Sequence, residues 1–137
     1  MFRLNRRTDY AIRILIQLAR GPERIKASEL SALTGVPAPY AHKIIRDLVR
    51  GGLLWTASGP EGGTGLARLA EEISLLDITE AMEGPIQLNF CRMGPTPCEY
   101  PDSDSCPVHP VLEKLNQDIQ AELSQTNLVQ LLANMNG

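Results

Sequence analysis

Residues 28–50 read SELSALTGVPAPYAHKIIRDLVR, and this stretch decides the fold. Ser28 is a suitable N-cap for a short helix over residues 29–33, and Gly35 suits a left-handed turn after that helix. Pro39 fits the first turn of a second helix, which is predicted to end at Arg50, before two glycines. A short helix, a glycine turn and a second helix indicate a helix-turn-helix.

The second helix of this pair has two contrasting faces. Apolar residues recur at helical spacing on one face: Ala41, Ile44, Ile45 and Leu48. The opposite face is basic, which fits either a solvated surface or a helix in the DNA major groove. The helix-turn-helix context favours DNA, and the predicted DNA-contacting residues are Ser28, Pro39, Tyr40, His42, Lys43 and Arg46.

The segments around this pair complete a predicted winged helix-turn-helix domain over residues 1–84. Thr8 and Asp9 are suitable N-cap residues for an amphipathic helix that precedes the pair. Residues 53–56 and 66–69 are predicted strands, joined by a turn rich in glycine and proline. A hairpin directly after the basic helix is typical of a wing, so the expected fold class is mainly α with a small β-hairpin.

The remainder of the chain is predicted to contain three further helices. Ser74 and Asp77 suit a capping box for a helix that ends at Glu83, and Thr126 suits the cap of a final helix. Pro110 is predicted to begin a long helix with an apolar stripe formed by Val111, Leu112, Leu115, Ile119 and Leu123. The stripe either pairs with a second copy, giving a two-fold dimer for palindromic double-stranded DNA, or packs on its own domain.

Charge separates the chain into two halves. Residues 1–56 contain ten Lys/Arg and four Asp/Glu, a net charge of +6, whereas residues 57–137 have a net charge of −9. We therefore expect the first half to contact a polyanion. No apolar run approaches the ~18 residues of a membrane span. A cytoplasmic location is expected, and no catalytic constellation indicates an enzyme or a small-molecule substrate.

All three cysteines lie in one proline-rich segment, at Cys91, Cys98 and Cys106, with His109 three residues later. Their spacing is Cys-x6-Cys-x7-Cys-x2-His, which differs from zinc ribbons and from the ferredoxin pattern. Thiolates are soft ligands that suit iron–sulfur clusters, zinc or copper(I). A metal-free thiol switch and a cluster-carrier protein are the alternatives.

The chain resembles the IscR/NsrR family of winged-helix iron–sulfur transcription repressors. The resemblance rests on TDYAIR (8–13), LTGVP (33–37), GG and LAR (62–68), EISLLDI (72–78), EGP (83–85) and the cysteine segment. It implies a homodimeric repressor with a [2Fe–2S] or [4Fe–4S] cluster, whose DNA affinity responds to redox state, nitric oxide or cluster supply.

By this resemblance the three cysteines are thiolate ligands. The fourth ligand is either Asp9, supplied by the partner subunit, or His109. The implied organisation is a DNA-binding domain (1–84), a cluster-binding loop (85–109), and a dimerisation helix with a C-terminal helix (110–137). The sequence departs from the family at the wing, where Ser58 and Thr64 occupy positions that usually carry arginine and tyrosine.

Overall fold

The computed structural model describes residues 3–88 and 106–135. Within these ranges the elements are α1 (Arg6–Arg20), α2 (Ala27–Thr34), α3 (Ala38–Arg50), β1 (Leu54–Ala57), β2 (Gly63–Leu66), a 3-10 turn (Ala70–Glu72), α4 (Leu75–Glu83), α5 (His109–Gln125) and α6 (Leu128–Met135). A mainly α fold with one small hairpin confirms the predicted winged-helix class. In the described ranges, no helix has the length and hydropathy that a membrane span requires.

The core lies where α1, α2 and α3 meet, and α4 and α6 close it. Its fully buried side chains are mostly aliphatic: Ile14, Leu15, Leu30, Val36, Ile44, Leu48, Leu53, Ile73, Ile78 and Leu128. Each such side chain contributes roughly 1.5–3 kcal/mol when it leaves water. The same burial directs the basic face of α3 outward.

Two predicted helix starts were wrong, because both helices begin before the predicted cap residues. The N-cap of α1 is Asn5, whose side chain accepts a hydrogen bond from the Thr8 amide at 3.1 Å. Thr8 is fully buried and Asp9 lies in the first helical turn. Lys26 precedes α2 without a side-chain cap, so Ser28 is an exposed helical residue rather than the cap.

The returning strand of the hairpin begins three residues earlier than predicted. Leu54 pairs with Leu66 and Ala57 with Gly63, so residues 67–69 lie outside the strand. Thr64 explains the shift, because its side chain is buried and its hydroxyl donates to the Trp55 carbonyl at 2.6 Å. The turn is therefore shorter than the sequence pattern indicated.

The capping box at the start of α4 is confirmed. The Asp77 amide donates to Ser74 Oγ at 3.1 Å, and the Ser74 amide donates to the Asp77 carboxylate at 3.0 Å. The predicted cap of the last helix was wrong, since Asn127 accepts from the Gln130 amide at 3.0 Å. The Thr126 carbonyl instead accepts from the amide of Leu75.

α5 divides the predicted apolar stripe between two environments. Leu112, Ile119 and Leu123 are half-buried, and α5 packs against α4. Leu115 and Val111 remain 46% and 58% exposed. The half-buried residues agree with packing of the stripe on its own domain. The exposed residues are available to a second copy of the chain. α6 turns back and packs on α1.

Candidate nucleic-acid interface

The outward face of α3 presents most of the residues that the sequence predicted to contact DNA. Pro39, Tyr40, His42, Lys43 and Arg46 are all exposed. The helix is held from behind by four buried aliphatic residues, Ala41, Ile44, Ile45 and Leu48. Its exposed side is consequently a rigid, basic and convex surface with the dimensions of an α-helix, which the DNA major groove admits.

The turn between α2 and α3 fixes the angle at which α3 is presented. Gly35 ends α2 in the left-handed region, at φ 77°, which favours glycine. The Ser31 hydroxyl donates to the Val36 carbonyl at 2.6 Å, across the turn. Val36 is fully buried, so the turn is anchored in the core. Ser28 lies exposed in the first turn of α2, at the opposite end of that helix.

A groove with a volume of about 440 Å³ separates α3 from the wing, defined here as residues 54–66. Arg46 and His42 line it from α3, and Thr56 lines it from β1. Lys26 lies at its edge, just before α2. Lys26 and Thr56 are not among the DNA contacts predicted from the sequence. A single apolar residue, Ile25, is too short a pattern to predict that this segment pairs with the wing.

An aromatic and cationic cluster lies beside the N-terminal end of α3. The rings of Tyr10 and Tyr40 are 6.2 Å apart, at an interplanar angle of 55°. The guanidinium carbons of Arg6 and Arg13 lie 5.9 and 5.7 Å from the centroid of the Tyr10 ring. Such cation–π contacts contribute about 0.5–1 kcal/mol each at exposed sites. The cluster extends the basic surface from α3 onto α1.

Asp9 lies on the same surface of α1. Its carboxylate accepts from Arg13 at 3.0 Å, and the Asp9 side chain is 50% exposed. Asp9, a predicted ligand of the iron–sulfur cluster, is therefore paired with Arg13, which also contacts the Tyr10 ring. α1 also contacts α3 directly, through an ion pair between Arg7 and Asp47.

A further bond joins the start of α1 to the end of α4. The hydroxyl of the buried Thr8 donates to Glu83 Oε2 at 2.5 Å. Glu83 is the last residue of α4 and is followed by Gly84, at φ 81°, where the helix stops. Thr8, the residue before Asp9, is thus bonded to the last residue of α4, after which the chain continues to the cysteine segment.

The predicted cysteine site is described only in part. Cys91 and Cys98 lie outside the described residues, while Cys106 is a buried free cysteine and His109 is the first, half-buried residue of α5. Among residues 3–88 and 106–135, no three His, Cys, Asp or Glu side chains form a group that could hold a metal ion. Asp9, Cys106 and His109 therefore do not meet within one chain.

A buried, reduced thiol fits the part of a soft thiolate ligand. Cys106 is 8% exposed and forms no disulfide with another described residue.

Known proteins resemble the chain over almost its whole length. A family model described as "Rrf2: Iron-dependent Transcriptional regulator" matches residues 4–134. Protein aau3 of Rhizobium meliloti (strain 1021) is 34% identical over 114 residues, which cover 82% of this chain and 73% of aau3.

Two solved structures share the fold. CymR (YrzC), the global cysteine regulator of B. subtilis, has a TM-score of 0.77 and 20% identity, and the match covers 98% of both chains. T. potens IscR has a TM-score of 0.74 and 22% identity, and the match covers 98% of this chain and 88% of that one. At these identities the two structures support the architecture.

Proposed function

This chain belongs to the Rrf2 family of transcriptional regulators, which bind DNA, and we propose that an iron–sulfur cluster controls its affinity for DNA. The family match confirms the resemblance predicted from the sequence. The observation that carries the proposal is the arrangement of α1, which joins a potential cluster ligand to the DNA-facing helix. Asp9 lies on α1, and the ion pair between Arg7 and Asp47 connects α1 to α3.

The proposed DNA surface is the exposed face of α3, with Pro39, Tyr40, His42, Lys43 and Arg46 as contacts, together with Ser28 of α2. Exposure of these side chains and the +6 charge of residues 1–56 support this assignment. Arg46 and Lys43 can donate to guanine edges or to phosphates, and Tyr40 and Ser28 can donate to phosphates. The protein then acts as a repressor by occupying its operator.

Proteins of this fold are generally dimeric, and we assign the dimer contact to α5. Leu115 and Val111 are the exposed part of its apolar stripe. A two-fold contact there presents two α3 helices, so the expected operator is palindromic. Burial of these aliphatic side chains contributes roughly 25 cal/mol per Å² of apolar surface.

Cys91, Cys98 and Cys106 would hold the cluster, with Asp9 of the partner subunit or His109 as the fourth ligand. When bound, the cluster supplies a centre that reacts with oxidants and nitric oxide. Asp9 is paired with Arg13 at 3.0 Å, so a change in the partners of Asp9 alters the position of Arg13 over the Tyr10 ring. Tyr10 contacts Tyr40, at the start of α3. The state of Asp9 is thereby coupled to the DNA-facing surface.

A metal-free regulator of the same fold is the second candidate. The free thiol of Cys106 supports it, because a reduced cysteine can also be oxidised. In that case the protein lacks iron when it is isolated without oxygen, and peroxide converts thiols to a disulfide that mass spectrometry detects.

Anaerobic isolation with iron and sulfide counting, visible absorption and a DNA-binding titration tests the proposal. Protein with the cluster and protein stripped of it are expected to differ in affinity for operator DNA. His109→Ala and Asp9→Ala then identify the fourth ligand, because one of them should lower the iron content. His42→Ala and Asp118→Ala are matched controls for the iron content, since they remove the same two side-chain types at exposed positions that are not proposed ligands. Absence of iron, sulfide and visible absorption from the anaerobic sample contradicts the proposal.

A further inference from the structure

The groove between α3 and the wing is a built feature with basic walls. It is lined by Lys26, His42 and Arg46, and no acidic side chain is among its lining residues. Its floor is formed partly by Ile45 and Val49 of α3. We propose that this groove seats a phosphate of the duplex backbone, held between Lys26 on one side and Arg46 on the other.

The position of Lys26 is fixed by its two preceding residues. Ile25 pairs with Thr64 of β2 through two backbone hydrogen bonds, of 2.9 and 2.8 Å. The Arg24 guanidinium donates to the Glu61 carbonyl in the wing turn at 2.5 Å. Ile25 therefore forms an isolated β-bridge to the wing, which holds the adjacent Lys26 beside the groove. A contact that is already ordered loses less conformational entropy on binding.

The wing itself has no cationic side chain. Between Leu54 and Leu66 the single charged residue is Glu61, which is acidic. Arg24 is engaged with the wing turn, so Lys26 is the cation that remains beside the hairpin. Within the described ranges neither Lys26 nor Arg46 takes part in an ion pair. Both are therefore available to an external anion.

The shape of the groove favours a duplex backbone. It opens beside the exposed face of α3, which is the face assigned to the major groove. A strand that leaves the major groove along α3 passes next between α3 and the wing. A phosphate contact in the groove is independent of base sequence, so the wing of this protein adds affinity while α3 selects the sequence.

The experiment measures the salt dependence of binding to a random-sequence 30-bp duplex by fluorescence anisotropy. The inference rests on the proposed DNA binding, which the titration of the wild-type protein tests separately. Lys26→Ala is expected to reduce the slope of log K against log salt by about 0.9 for each protomer bound. Between 50 and 200 mM salt, the DNA affinity of Lys26→Ala should therefore fall about threefold less, for each protomer bound, than the DNA affinity of the wild type.

Matched variants separate a phosphate contact from a change in fold. Arg46→Ala should reduce the slope as Lys26→Ala does, and Lys26→Arg should restore it. Lys114→Ala makes the same charge change on α5, where Lys114 pairs with Asp118 at 2.5 Å, and should keep the wild-type slope. If Lys26→Ala has the same slope as Lys114→Ala, the inference about the groove is wrong, although the proposed DNA binding is retained. A wild-type protein without salt-dependent binding overturns both.

Discussion

Removing the hydroxyl of Thr8 tests how the start of α1 is fixed. Thr8 is fully buried, and its Oγ donates to Glu83 Oε2 at 2.5 Å. The same oxygen lies 3.3 Å from Asn5 Oδ1, the cap of α1. Thr8→Val keeps the shape of the side chain and removes the donor, so both contacts are lost without a cavity.

The expected loss of stability follows from the two partners. A hydrogen bond to a charged group contributes about 1.5–3 kcal/mol. Glu83 is exposed, so water can solvate its carboxylate when the donor is removed, which reduces the cost. We expect Thr8→Val to lower the free energy of unfolding by about 1–2 kcal/mol. For a chain of this length, the melting temperature should fall by about 3–5 °C for each kcal/mol.

Urea and thermal unfolding measure the effect, and Thr79→Val is the matched control. Thr79 is also buried and helical, but its hydroxyl donates at 2.8 Å to the carbonyl of Leu75 in its own helix. That carbonyl keeps its backbone donor, so Thr79→Val should remain within about 0.5 kcal/mol of the wild type. Glu83→Ala should match Thr8→Val, and the double variant should cost little more. Equal stabilities of Thr8→Val and Thr79→Val would refute this reasoning.

Three further predictions concern the dimer, the wing and α4. Leu115→Asp should convert a dimer to a monomer in analytical ultracentrifugation, whereas Val129→Asp, at a site that is similarly exposed on α6, should leave the dimer intact. Gly62→Ala should destabilise the wing and lower the melting temperature, because its Cβ would lie 2.3 Å from the Ala57 carbonyl oxygen. Ser74→Ala should lower the urea midpoint by removing the capping box, at a cost of about 1 kcal/mol.

Features fixed by local chemistry were predictable from the sequence. Gly35, Pro39 and Gly84 set the helix boundaries that the pattern indicated, and Ser74 with Asp77 forms the predicted capping box. In each case the signal and its partner lie within a few residues. The outward basic face of α3 follows for the same reason, since helical spacing alone separates it from the buried face.

Features that depend on distant partners were not predictable. Thr8 was interpreted as a cap because a threonine near a helix start usually is one, but its partner is Glu83, 75 residues away. The predicted strand (66–69) excludes Thr64, although Ile25 pairs with it across the fold. The same pairing places Lys26 beside the wing. Hydrophobic spacing likewise gave no sign that Asn116 is buried in α5.

The most informative part of the structure for regulation is therefore α1 rather than the helix-turn-helix pair. Thr8 joins it to the end of α4, Arg7 joins it to α3, and α6 packs along it. Because these contacts originate within two turns of helix, a small displacement of the α1 start reaches the residue that precedes the cysteine segment and the DNA-facing helix together. Asp9 projects from the same turn and pairs with Arg13. Under the proposed function, a ligand of the Asp9 carboxylate would act on this turn, which contacts both α3 and α4.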